Sequence, residues 1–67
     1  MRILFADPID QGRVDRLQAE GHECVVNDLT AHELPAHIPG FTALVVRSTR
    51  VTADTVSAAD CLELIVR

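Results

Sequence analysis

The sequence predicts an α/β fold in which four parallel strands alternate with three helices, with helices on both faces of the sheet. Three observations carry this expectation. Short aliphatic runs, Ile3–Ala6, Cys24–Val26, Ala43–Val46 and Leu62–Val66, recur about every 20 residues, too far apart for hairpins and suited to strand, helix, strand. The runs are continuous and do not alternate with polar residues, as parallel strands covered on both sides require. The stretches between them carry helix start and stop signals.

The elements follow in order. Strands are expected at residues 2–6, 23–27, 42–47 and 62–66. Glu63 interrupts the last run, so its buried part is expected to be Leu64-Ile65-Val66. The first helix is expected to open at Asp7-Pro8, since proline suits an initial turn and Asp10 suits a helix N-terminus. Val14 and Leu17 follow at helical spacing, and Gly21 fits the left-handed residue that ends a helix. In the second interval, Thr30-Ala31-His32-Glu33 has the form of a capping box, but Pro35 follows too soon for a regular helix and Pro39-Gly40 closes the segment. A short or distorted helix is expected there. In the third, Thr52 caps a helix over 53–59, with Val51 and Val56 placed as a hydrophobic staple. Right-handed crossovers restrict such a β-α-β-α-β-α-β chain to a parallel sheet. The expected strand order is 2-1-3-4, against a rival 3-2-1-4.

Sixty-seven residues allow one domain, and a chain of this size buries only about 60% of its unfolded surface, which leaves it marginal without help. Ten acidic and six basic side chains give a net charge of −4, and the basic ones are scattered arginines. That balance argues against nucleic acid or an anionic membrane as partner, because both select for clustered cations. The apolar run after Met1 stops at Asp7, too short for a signal peptide or a membrane span, so a cytoplasmic protein is expected. With Phe5 and Phe41 the only aromatics, the core must be aliphatic.

Two cysteines make at most one disulfide. Cys24 and Cys61 are read as small buried hydrophobes and are expected to be free. Together with His22, His32 and His37 they show no structural-zinc spacing, so no metal site is expected, and the histidines are read as helix or loop surface. Asp10, Asp15 and Glu20 read as a solvated helix face. Ser48, Thr49 and Thr52 lack the base that nucleophilic catalysis needs.

In open α/β sheets ligands bind beyond the carboxyl ends of the strands, where the strand order reverses. With order 2-1-3-4, that point lies between the first and third strands and sets Arg47-Ser48 beside Asp7. Arg47 offers a planar fork to a carboxylate or phosphate, Ser48 adds a hydroxyl, and the free N–H groups of the helix beginning near Thr52 also favour an anion. The alternative is that Arg47 is a solvated strand end and Ser48-Thr49 merely turn the chain. The first strand is followed by Asp7-Pro8-Ile9-Asp10-Gln11-Gly12, so the chain does not open a dinucleotide-binding domain, and no Walker loop is present. The third strand ends in Arg47 where a receiver domain would have an aspartate.

Met1–Pro8, Glu20–Val26, Ala43–Asp54 and Leu62–Arg67 together are similar to the NAD-dependent D-2-hydroxyacid dehydrogenases, and within them to the 3-phosphoglycerate dehydrogenases. The stretch Val46-Arg47-Ser48-Thr49-Arg50-Val51-Thr52 is the most specific part, and the resemblance covers essentially the whole chain. It implies a flavodoxin-like substrate-binding domain in which Arg47 and Ser48 face the acidic groups of the substrate, with Arg67 matching an arginine ahead of a Gly-rich turn. It also implies that NAD and the catalytic Arg, Glu and His belong to a later domain, so no catalytic, cofactor-binding or metal-binding residue is assigned to this segment. The expected partner is a small anionic acid, and a homo-oligomer is expected. The second hypothesis is a non-enzymatic flavodoxin-like module that binds an anion or a protein partner.

Overall fold

The computed structural model describes all 67 residues, Met1–Arg67. Its elements are β1 (Arg2–Phe5), α1 (Gln11–Ala19), β2 (Glu23–Val26), α2 (Leu34–His37), β3 (Ala43–Val45), α3 (Ala53–Ala58) and β4 (Leu64–Val66). All strand pairs are parallel and the order is β2-β1-β3-β4, the expected arrangement and not its rival. Central β1 sets Ile3 opposite both Cys24 and Ala43, and Val45 lies opposite Val66. The strands are shorter than expected at their ends, although ladder-type bonds such as Asn27 N–H to the Phe5 carbonyl (2.9 Å) and Val46 N–H to the Val66 carbonyl (2.9 Å) continue past them.

Alternation along β1 and β3 separates two cores. Leu4, Ala6, Leu44 and Val46 turn to the face covered by α2 and α3 and meet Leu29, Leu34, Ile38 and Phe41. Ile3, Phe5 and Ala43 turn to the α1 face and meet Val14. The first cluster has eight buried members and the second four, so most hydrophobic stabilisation, about 1.5–3 kcal/mol per large side chain, lies on the α2/α3 side. Removing Leu4, Leu34 or Leu44, each no more than 1% exposed, should cost the most.

The helix signals act much as their chemistry requires. The Asp10 side chain accepts from Gly12 N–H (3.4 Å) and caps α1, so the helix begins at Gln11, beyond the expected Pro8. The other end closes with His22 N–H on the Leu17 carbonyl (3.1 Å) and Gly21 N–H on the Gln18 carbonyl (3.0 Å). This paired closure needs a left-handed residue, and Gly21 has φ +98°. The Thr30–Glu33 box forms reciprocally, at 3.0 and 3.3 Å, while Pro35 sits in the first turn of α2 and Pro39 follows its C-cap, so the helix runs for four residues. Thr52 Oγ1 accepts from Thr55 N–H (3.4 Å) and caps α3.

Four expectations are corrected. Leu64, Ile65 and Val66 are 49%, 42% and 42% exposed, not buried, because β4 is an edge strand and no helix lies over it. An apolar groove of about 290 Å³ runs along the α1 face between Leu17 and Leu64. Cys61 is exposed and Cys24 half-buried; both are free. Cys61 lies ahead of the edge strand, where its thiol reaches the Phe41 carbonyl (3.4 Å), and Cys24 is on the other edge strand. His22 is half-buried, with its Nδ1 enclosed and without a hydrogen-bond partner. Val56 is 55% exposed, so it makes no buried staple with Val51, which packs on the larger core.

Candidate functional site at the carboxyl ends of the strands

The reversal of strand order puts the ends of β1 and β3 side by side, and Asp7 leaves β1 directly toward the turn after β3. Its carboxylate is 7% exposed and collects five donors. The N–H groups of Arg47 (2.7 Å), Ser48 (3.2 Å) and Thr49 (3.0 Å) all point at Oδ2, and the hydroxyls of Ser48 (3.2 Å) and Thr49 (2.7 Å) reach Oδ1. Successive N–H groups converging on one oxygen form an anion-binding nest. The Thr49 hydroxyl also lies 3.1 Å from the Leu29 carbonyl. It has one proton, and the shorter contact to a charged acceptor takes it.

Burial pushes the Asp7 carboxyl up, but the N–H groups of Arg47, Thr49 and Ser48 and the Thr49 hydroxyl outweigh it and hold the group well below the usual carboxylate range. The anion that the turn after β3 favours is therefore supplied by the chain itself. The backbone donors of residues 47–49 are committed, and only the Arg47 guanidinium is left to face outward.

Arg47 lines a cavity of about 200 Å³, open at the carboxyl ends of β1, β3 and β4. Pro8, Ile9, Val45 and Val66 supply the apolar wall. Arg47 and Arg67, which end the adjacent strands β3 and β4, line it together, as does Arg13 from the first turns of α1. Both ion pairs of the protein lie elsewhere, between Arg2 and Glu23 and between Arg16 and Glu20. Half of the six arginines thus line one cavity of an acidic chain, and none of the three has a carboxylate partner. Asp7 also borders the cavity, but its oxygens are turned to the 47–49 backbone. A guanidinium cluster of this kind suits a small carboxylate or phosphate, and the volume suits a molecule below drug size.

The structure therefore brings Arg47 and Arg67 together and leaves Ser48 out of the cavity lining, its N–H and hydroxyl both on Asp7. Arg50 borders a separate shallow depression with His32 and Asp54. Arg13 escaped the sequence reading because its helix position looks like solvated surface. Its distance from Asp10, the N-cap of α1, was the available signal, since it puts Arg13 one turn above the strand ends.

Comparison with known proteins gives the family. Residues 3–67 match the family described as D-isomer specific 2-hydroxyacid dehydrogenase, catalytic domain. The chain belongs to that family. It is 36% identical, over 69 aligned positions covering all of the chain, to D-3-phosphoglycerate dehydrogenase of Archaeoglobus fulgidus. It spans 13% of the length of that relative. For this member of the 2-hydroxyacid dehydrogenases, the residues present do not suit a dinucleotide. A pyrophosphate after β1 would meet the Asp7 carboxylate and the Asp10 cap of α1 where a Gly-rich turn and free helix N–H groups are needed. What the chain offers is a cavity wall carrying three arginines.

Proposed function

We propose that this chain is the substrate-binding segment of a longer NAD-dependent D-2-hydroxyacid dehydrogenase, acting on a small 2-hydroxy or 2-oxo acid, with 3-phosphoglycerate as the favoured substrate. The observation that carries the reading is the pair Arg47 and Arg67, unpaired at the ends of adjacent strands and lining one small cavity. Arg47 and Arg67 hold the carboxylate of the acid and orient its hydroxyl-bearing carbon for hydride transfer to NAD, which a separate domain binds. Ser48 acts with them through the turn, because its hydroxyl on Asp7 helps to fix the backbone from which Arg47 projects. The 67-residue chain alone, lacking a phosphate loop after β1, neither binds NAD nor turns over an acid. Two free cysteines fit a reducing compartment such as the cytoplasm. The full enzyme is proposed to be a homo-oligomer.

The test belongs in the longer protein. Arg47→Ala should raise KM for the acid about tenfold or more, the loss expected of a charge-assisted pair, while Kd for NAD stays unchanged. Arg47→Lys should recover only part, since an ammonium cannot reproduce a two-pronged contact. Wild-type KM and kcat in a folded Arg47→Ala enzyme would remove the substrate role.

A further inference from the structure

We infer that Arg13 is a specificity-determining residue: its guanidinium takes the second anionic group of the substrate, while Arg47 and Arg67 take the carboxylate. The inference rests on the functional reading above and goes beyond it by dividing the cavity between two anions. Arg47 and Arg67 leave the sheet from neighbouring strands, Val45 opposite Val66 in register, so their roots lie on one side of the cavity. Arg13 comes from α1, a different layer of the fold, and Ile9, Val45 and Val66 share the lining with it. Two guanidiniums from strand ends and one from a helix, in a lining that also holds apolar side chains, suit a short carbon chain with an anion at each end. A carboxylate offers about four lone-pair sites, which two forked guanidiniums fill, so a third guanidinium from another layer is left for a second anion. Arg13 is exposed, and its side chain makes no hydrogen bond or ion pair, while the neighbouring acid, Asp15, bonds to Gln11 at 2.9 Å. Its place at the rim is therefore not explained by the stability of the helix.

The experiment compares wild type with Arg13→Gln and Arg13→Lys in the longer enzyme, using 3-phosphoglycerate as substrate and inorganic phosphate and glycerate as competing ligands. Arg13→Gln should raise KM for 3-phosphoglycerate and Ki for inorganic phosphate about tenfold each, with kcat and Ki for glycerate unchanged. Arg13→Lys should restore part of both. An unchanged phosphate Ki overturns the inference, and so does a glycerate Ki that rises by the same factor, because Arg13 would then serve the shared carboxylate or the fold. A strong Arg47→Ala effect beside a silent Arg13→Gln overturns this inference alone. A wild-type enzyme that turns over no hydroxy acid overturns the functional reading as well.

Discussion

The hydroxyl of Thr49 donates to the carboxylate of Asp7 at 2.7 Å, across 42 positions of sequence. With the Thr49 N–H on the same group at 3.0 Å, this contact locks the turn after β3 to the end of β1. It stands between the fold and the candidate site, because Arg47 projects from that turn.

The folded state holds the Asp7 carboxyl below its unfolded value of about 3.9, so it contributes stability that is complete above that value and lost as pH falls below it. Acid titration of unfolding should show stability declining below about pH 4. Asp7→Asn should destabilise by about 2 kcal/mol or more at neutral pH, since the converging N–H groups and hydroxyls exchange a charged two-oxygen acceptor for a neutral one-oxygen amide, and should flatten that decline. An equally steep acid transition in Asp7→Asn would assign it to other carboxyls.

The two hydroxyls on Asp7 should differ in weight. Thr49 is half-buried and within reach of both Asp7 and the Leu29 carbonyl, whereas Ser48 is exposed and bonds at 3.2 Å. Thr49→Val should cost about 1–3 kcal/mol in denaturant unfolding, and Ser48→Ala clearly less. A reversed ranking would contradict this account of the turn.

The 67-residue chain should associate through β4. Its three residues are all exposed, and an open apolar edge is a template for another strand. Sedimentation velocity should show mass rising with concentration, and Ile65→Lys should shift the chain toward monomer. A sharp, concentration-independent unfolding transition of a monomer would refute it.

Both thiols should react without prior reduction. Order β2-β1-β3-β4 separates β2 from β4 by three strand spacings, roughly 14 Å, whereas a disulfide needs Cα atoms within about 7 Å. Exposed Cys61 should label before half-buried Cys24. Both should need alkaline pH: burial pushes the Cys24 thiol up, and the hydrogen bond with Asp60, followed by desolvation, raises that of Cys61. An intact mass lower by two hydrogens would indicate a bridge.

Strand number and direction were legible because they follow from local facts, whereas the order was a choice between 2-1-3-4 and 3-2-1-4 that β1–β3 pairing decides. Continuous runs such as Ile3–Ala6 can only be buried on two faces, and their spacing leaves room only for crossover helices. The place of Arg47 beside Asp7 was legible because the end of a strand at the reversal point is fixed by topology. The exposure of Leu64-Ile65-Val66 was not, since an aliphatic run states what it can bury and not whether anything covers it. Nor was the use of the turn donors by Asp7, which joins residues 40 to 42 positions apart through side-chain geometry. Arg13 was missed for the same kind of reason: helix periodicity shows which face points outward and not which strand ends that face overlooks.

Placing β1 at the centre of the sheet has a consequence for the chain as it is made. Of these four strands, the earliest made is one that needs two neighbours, and its second neighbour comes third. The Arg2 carbonyl waits for the N–H of Thr42, and the Phe5 edge is not flanked on that side until Val45 has emerged. Until then Leu4 and Ala6 have no Leu44 or Val46 to pack against. A nascent chain stopped near Gly40 thus holds its future core open, and closure becomes a single late event once β3 is free of the exit tunnel. Such long sequence separations slow folding, so synthesis itself sets the order in which these pieces meet.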